Sequence, residues 1–302
     1  MLEATESRPD LALLRSHLCA RMDEMFDALL PLPDAPQARL YRAIRHATIG
    51  GGKRLRPLLV LLSGNLFRVT EESALRAGLA VEAIHAHSLI HDDLPCMDDD
   101  DLRRGRPTVH RAFDEATAIL AGDSLLALAF GVLADPRTHP DAAIRSELVV
   151  TLSRASGAGG MAGGQMIDMR STSLELDLAG VTQLQRLKTG ALLAWSIDAG
   201  AILGRASDVN RRRLADYAAC LGLIFQIADD LLDHEGEEAK AGKRIGKDAA
   251  AGKQTFVSLL GAEGARQQAR RLLAEAVSHL APFGAEAALL SDVAEFALTR
   301  DH

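Results

Sequence analysis

Leu11-Ala12-Leu13-Leu14-Arg15-Ser16-His17-Leu18-Cys19-Ala20-Arg21-Met22-Asp23-Glu24-Met25-Phe26-Asp27-Ala28-Leu29 shows the period of the whole chain. Its apolar residues Leu11, Leu14, Leu18, Met22, Met25, Phe26 and Leu29 recur every three to four positions. That spacing lines one face of an α-helix, whereas a strand would alternate every two. Outward from it the same period predicts helices over about 37–48, 54–68, 71–93, 108–134, 142–168, 182–204, 208–235, 255–280 and 285–300. Loops are predicted at Pro31-Leu32-Pro33, from Asp135-Pro136 to Pro140, from Ser171 to Gly180 and from Gly236 to Gly252. Aromatic residues are 4% of the chain, and alternating β-branched runs between turns are scarce. The fold class is all-α, and no Ser/Gly linker or charge shift divides it, so residues 1–302 are read as a single domain.

Net charge is −7, so no general basic field draws the chain to nucleic acid or anionic lipid. Cys19, Cys96 and Cys220 are odd in number and scattered, as in a reduced cytoplasmic protein without a disulfide frame or zinc site. Met1 to Asp10 is polar and has no signal-peptide core. No apolar run is expected to reach the roughly 18 residues of a membrane helix, so stable membrane insertion is not expected.

Two acidic clusters end long apolar helical stretches, where unpaired carboxylates are costly. The first is His91-Asp92-Asp93-Leu94-Pro95-Cys96-Met97-Asp98-Asp99-Asp100-Asp101. A regular helix would put Asp98 well off the face of Asp92, but Pro95 breaks the ladder and a bend there can return it. The bland alternative is a solvated acidic loop. Against it, Val81 to Ile90 has a buried character and sets His85 and Ser88 on the face of Asp92. In the second cluster Gln226, Asp229, Asp230 and Asp233 form one stripe on an otherwise apolar helix. Ordinary surface aspartates at a helix end would explain that too, except that acidic groups in the last turns oppose the helix dipole. All-oxygen clusters favour a hard cation such as Mg²⁺.

Positive charge is local. Gly50-Gly51-Gly52-Lys53-Arg54-Leu55-Arg56-Pro57 runs a glycine loop into a helix start, where free N–H groups favour anions. Arg103 and Arg104 follow the first cluster, and arginine suits phosphate. Lys188-Thr189 sits among apolar helical residues, a costly place for an ammonium with no anion. Lys243 follows the second cluster; Lys247 and Lys253, beside glycines, are weaker candidates.

Together these motifs, with Lys188-Thr189-Gly190 and Gly242-Lys243, resemble the trans-isoprenyl diphosphate synthase family, nearest its short-chain bacterial farnesyl and geranylgeranyl type. The resemblance implies an all-α domain around a central apolar cavity, usually a homodimer. It implies Mg²⁺ held by Asp92, Asp93 and Asp98 and, opposite, by Asp229, Asp230 and Asp233. Isopentenyl diphosphate would bind at Gly52, Lys53, Arg56, His85 and Arg104. The allylic diphosphate would meet Arg103, Lys188, Thr189, Gln226 and Lys243, with Lys188 counted among the catalytic groups. His87 and Ser88 would set product length, and His87 stands where family members that stop at farnesyl often carry a large aromatic. The implied reaction is ionisation, condensation and elimination to farnesyl diphosphate, with geranylgeranyl diphosphate as the alternative. A metal-dependent phosphohydrolase using His91-Asp92 is the rival of another class, and it leaves the second cluster and the glycine loop without a role.

Overall fold

The computed structural model describes residues 10–235 and 253–299. Helix α1 (Leu11–Leu29) starts where the Asp10 side chain accepts the Ala12 N–H at 2.8 Å, and it buries Leu18, Met22 and Phe26, each four residues apart. Then come α2 (Ala38–Thr48), α3 (Leu55–Asn65) and α4 (Glu71–Asp92). Thr70 caps α4, and Glu71 and Glu72 in its first turn suit the dipole. A two-strand hairpin, β1 (Leu102–Arg103) with β2 (Arg106–Pro107), is followed by α5 (Val109–Ala112), α6 (Glu115–Ala134), α7 (Ala142–Ser156), α8 (Met161–Leu174) and α9 (Leu178–Gln185). A π-helical turn, Arg186–Gly190, joins α9 to α10 (Ala191–Leu203). The chain continues as α11 (Asp208–Glu235), α12 (Phe256–Leu280), a 3₁₀ turn over Ala281–Ala287, and α13 (Ala288–Thr299).

The all-α expectation holds, and the departures have local causes. The helix predicted over 108–134 is two, because Asp114 leaves helical backbone to cap α6 through the Thr117 N–H at 2.7 Å. The helix predicted over 142–168 is also two. Gly157 to Gly160 form the break, and at Gly160 a Cβ would lie 2.2 Å from the Ala155 carbonyl oxygen. The loop predicted from Ser171 to Gly180 shrinks to the residues between α8 and α9. The predicted loop over 236–252 lies outside the described residues.

Helix α4 lies against α3 and α6, and α10 lies against α3, α7 and α11. From Ala74 to Ile84 every residue of α4 is buried, which an amphipathic surface helix could not show. One expectation is corrected by α6: its 20 residues are long and apolar enough to cross a membrane. Its buried residues Thr117, Ala118, Ala121, Gly122, Leu125 and Ala129 and its packing on α4 account for that composition as a core helix. The fold thus brings α11 against the π turn at the start of α10, and α4 against α10 itself.

Candidate active site

Helix α4 ends at Asp92, and the chain turns back on it. Asp93 donates its N–H to the Leu89 carbonyl at 3.1 Å, and Asp98 donates to the Asp92 carbonyl at 2.8 Å. The turn through Pro95 therefore sets Asp98 beside Asp92. Burial foremost, then crowding by Asp98 and Asp93 against the pull of Lys188 and Arg103, pushes the Asp92 carboxyl up to about 6. Asp93 points elsewhere. It is buried, and its Oδ1 accepts from Arg103 Nε at 2.8 Å and Nη2 at 2.6 Å.

The second cluster divides the same way. Asp230 is buried; its Oδ1 accepts from Gln226 Nε2 at 2.9 Å and its Oδ2 from the Phe256 N–H at 2.8 Å, at the start of α12. Asp229 and Asp233 are half-buried, one and two turns along the stripe that Gln226 begins.

Lys188 and Thr189 of the π turn connect the two clusters. Lys188 Nζ lies 2.6 Å from Asp168 Oδ2, and Lys253 Nζ lies 3.0 Å from the same oxygen. Burial acts to lower the Lys188 ammonium, but Asp168 foremost, then Asp92 and Asp98, hold it above its ordinary value. The next residue, Thr189, donates its hydroxyl to Gln226 Oε1 at 3.5 Å. One turn of chain thus addresses the acidic end of α4 and the stripe of α11. π-helical turns recur at functional sites because they push side chains out of the regular ladder. The backbone of α8 comes close beneath it, and a Cβ on Gly164 would lie 2.2 Å from the Lys188 nitrogen.

On the other side of the Asp-rich turn lies a basic cavity of about 170 Å³. Lys53, Arg56, His85 and Arg104 line it, with Arg15 from α1 and Phe296 from α13. Gly50 and Gly52 take φ of 76° and 92°, which favours glycine, and the loop passes against the Arg104 guanidinium: a Cβ on Gly52 would lie 2.5 Å from Arg104 Nη1. The loop is anchored by Arg54. Arg54 is buried and donates to Glu82 Oε1 at 3.0 Å, to Asp23 Oδ1 at 2.7 Å and to the Thr48 carbonyl. Arg56 Nε is buried without a hydrogen-bond partner, and burial, aided by Arg104, pushes that guanidinium down to about 10. It remains charged at pH 7. Burial, then Arg56 and Arg104, pushes the His85 imidazole well below its ordinary value, so it enters the cavity neutral. Cationic side chains gathered around the unpartnered Arg56 Nε favour an anion.

Sequence reasoning missed Glu82, Gln165 and Asp168. Glu82 sat in a Glu-x-x-His pattern and is the counter-ion of Arg54. Gln165 has both amide atoms buried without partners. Asp168, three residues on, is the shared acceptor of Lys188 and Lys253, so Lys253, read as a weak candidate, belongs with Lys188. A polar pair three apart in a small-residue helix was the available signal. Lys243 lies outside the described residues. Ser88 donates its hydroxyl to the His85 carbonyl at 2.9 Å, and His87 turns toward α6. His91 does not pair with Asp92: its Nε2 lies 3.2 Å from the Ile119 carbonyl oxygen and 4.0 Å from Asp123.

Residues 37–287 match the polyprenyl synthetase family model. The chain belongs to the polyprenyl synthetase family. It is 42% identical to the farnesyl diphosphate synthase of Geobacillus stearothermophilus over 88% of this chain and 90% of that one. It is 44% identical to the chloroplastic geranylgeranyl pyrophosphate synthase 9 of Arabidopsis thaliana over 81% and 69%. The apo crystal structure of a FPP/GFPP synthase from Zymomonas mobilis superposes with a TM-score of 0.89 at 49% identity, covering 95% of this chain and 98% of that one. Within the polyprenyl synthetase span lie both aspartate clusters and the π turn. Arg15 and Phe296, which help line the basic cavity, lie outside it.

Proposed function

We propose that this polyprenyl synthetase family member condenses isopentenyl diphosphate with dimethylallyl or geranyl diphosphate to give farnesyl diphosphate, as one 1–302 domain. One observation carries the reading: consecutive arginines part company. Arg103 turns to Asp93 at the acidic turn, while Arg104 lines the basic cavity. Two diphosphate subsites of different chemistry therefore adjoin, one lined by cations and one by carboxylates, as joining two diphosphate substrates requires. A phosphohydrolase has no use for the basic one.

Lys53, Arg56 and Arg104, with neutral His85, hold the diphosphate of isopentenyl diphosphate, and Gly52 lets the loop approach it. Asp92 and Asp98 on one side and Asp229 and Asp233 on the other fit magnesium: the donors are all oxygen, and Asp92 resists ionising until a cation joins it. Bound there, Mg²⁺ would neutralise charge growing on a departing pyrophosphate. Asp93 and Asp230, first grouped with these ligands, act by positioning Arg103, Gln226 and the start of α12. Lys188, with Lys253 and Arg103, stabilises the leaving diphosphate. The Thr189 hydroxyl and Gln226 carbonyl oxygens face the allylic carbon and lower the cost of its positive charge. Lys243 is assigned to the same diphosphate from the family resemblance.

The relatives' names support farnesyl as product, and the Arabidopsis thaliana geranylgeranyl pyrophosphate synthase supports geranylgeranyl diphosphate as the second reading. His87 and Ser88 are proposed to set that limit. The exposed Ile119 and Leu120 of α6 support a homodimer, and the protein is read as cytoplasmic. Incubation with isopentenyl and dimethylallyl diphosphates plus Mg²⁺, followed by product sizing, tests the reading. A C15 diphosphate is expected; phosphate release without chain growth overturns it.

A further inference from the structure

Helix α4 carries a second set of metal-type donors on a different face from Asp92. His87 and His91 are four apart, so they stack one above the other, with ring centroids 4.5 Å apart. They face α6, from which Asp123 rises, and one ligand atom from each of the three lies within 4.8 Å of the others. We propose that His87, His91 and Asp123 form a binding site for a borderline transition-metal ion of the Zn²⁺ class, distinct from the carboxylate clusters.

Several features support it. Two imidazoles and one carboxylate are a set that zinc-class ions accept and magnesium does not favour. His87 Nδ1 is buried with no hydrogen-bond partner, while the ring also bonds to the Gly122 backbone, so one nitrogen is fixed and the other is left for a ligand. Gly122 gives the His91 ring its room: a Cβ there would lie 2.2 Å from His91 Nε2. The Asp123 side chain is 60% exposed in the single chain, so it can swing inward. Ligand atoms on a tetrahedral zinc sit about 3.4 Å apart. The closure needed is thus about an ångström, within reach of one exposed rotamer.

The test is cobalt titration of the full-length enzyme, stripped of metal and then saturated with Mg²⁺ so that the acidic clusters are filled. Binding of Co²⁺ at one site per chain is expected, with visible ligand-field bands of nitrogen coordination that Zn²⁺ displaces. Affinity should fall about tenfold or more in His87→Gln and in Asp123→Asn. His87→Gln keeps the size and polarity of the site, and circular dichroism checks that both variants fold. Asp92→Ala should leave the bands intact. Absence of the bands in the wild type, bands unchanged in His87→Gln, or bands lost in Asp92→Ala would each overturn the assignment.

Discussion

The backbone N–H of Asp98 meets the carbonyl oxygen of Asp92 at 2.8 Å, so two carboxylates six positions apart share one edge of the site. Their proximity has a pH signature. Asp92 is pushed up to about 6 from an ordinary 3.8, so between those values the folded protein keeps a proton that the unfolded chain has released. In the metal-free protein this contribution to stability is fully present below about 3.8 and is lost as pH rises through about 6. Mg²⁺ must displace that proton. Its stabilising effect, read as the rise in thermal midpoint on adding Mg²⁺, should therefore be large at pH 7.5 and much smaller at pH 5.5. An equal rise at both would remove Asp92 from the metal site.

The two carboxylates of each Asp-Asp pair should separate by mutation. Asp92→Ala or Asp229→Ala should nearly abolish turnover with little loss of stability. Asp230→Ala removes the acceptor of the Phe256 N–H and of Gln226, so it should cost about 1–2 kcal/mol in denaturant unfolding as well as activity. Comparable unfolding midpoints for Asp229→Ala and Asp230→Ala would contradict the division.

Asp168 holds two ammonium groups on one oxygen. Lys188→Ala should lower kcat by about 10²–10³, the usual loss for one preorganised charge at a leaving group. Asp168→Asn keeps the shape but frees both lysines, and steady-state kinetics should show a smaller loss shared between kcat and the KM of the allylic substrate. An unaltered Asp168→Asn enzyme would leave the lysines positioned by something else.

Arg54 anchors the glycine loop from inside. Removing one partner of a buried, hydrogen-bonded charge pair costs about 3–5 kcal/mol, so Arg54→Ala should unfold at markedly lower denaturant. Glu82→Gln should be milder, because Asp23 and the Thr48 carbonyl still receive the guanidinium.

Much of this was legible in the sequence, for identifiable reasons. The three-to-four period of Leu11 to Leu29 marks a helix because burial enforces it, and the basic cavity residues were found because glycines beside Lys53 and Arg56 advertise an anion site. The distinction between Asp92 and Asp93 was not legible. Adjacent residues on a helix end point about 100° apart, and only the turn through Pro95 decides which of them meets Arg103. The break at Asp114 was missed because a capping aspartate reads as an ordinary polar residue until its Thr117 bond is seen. Asp168 was missed because its partners lie 20 and 85 positions further along the chain.

The basic cavity draws walls from both α1 and α13, with the Arg15 guanidinium 4.7 Å above the Phe296 ring. Residues from opposite ends of the described chain therefore close one wall, and the cavity keeps its shape only while α1 and α13 stay docked together.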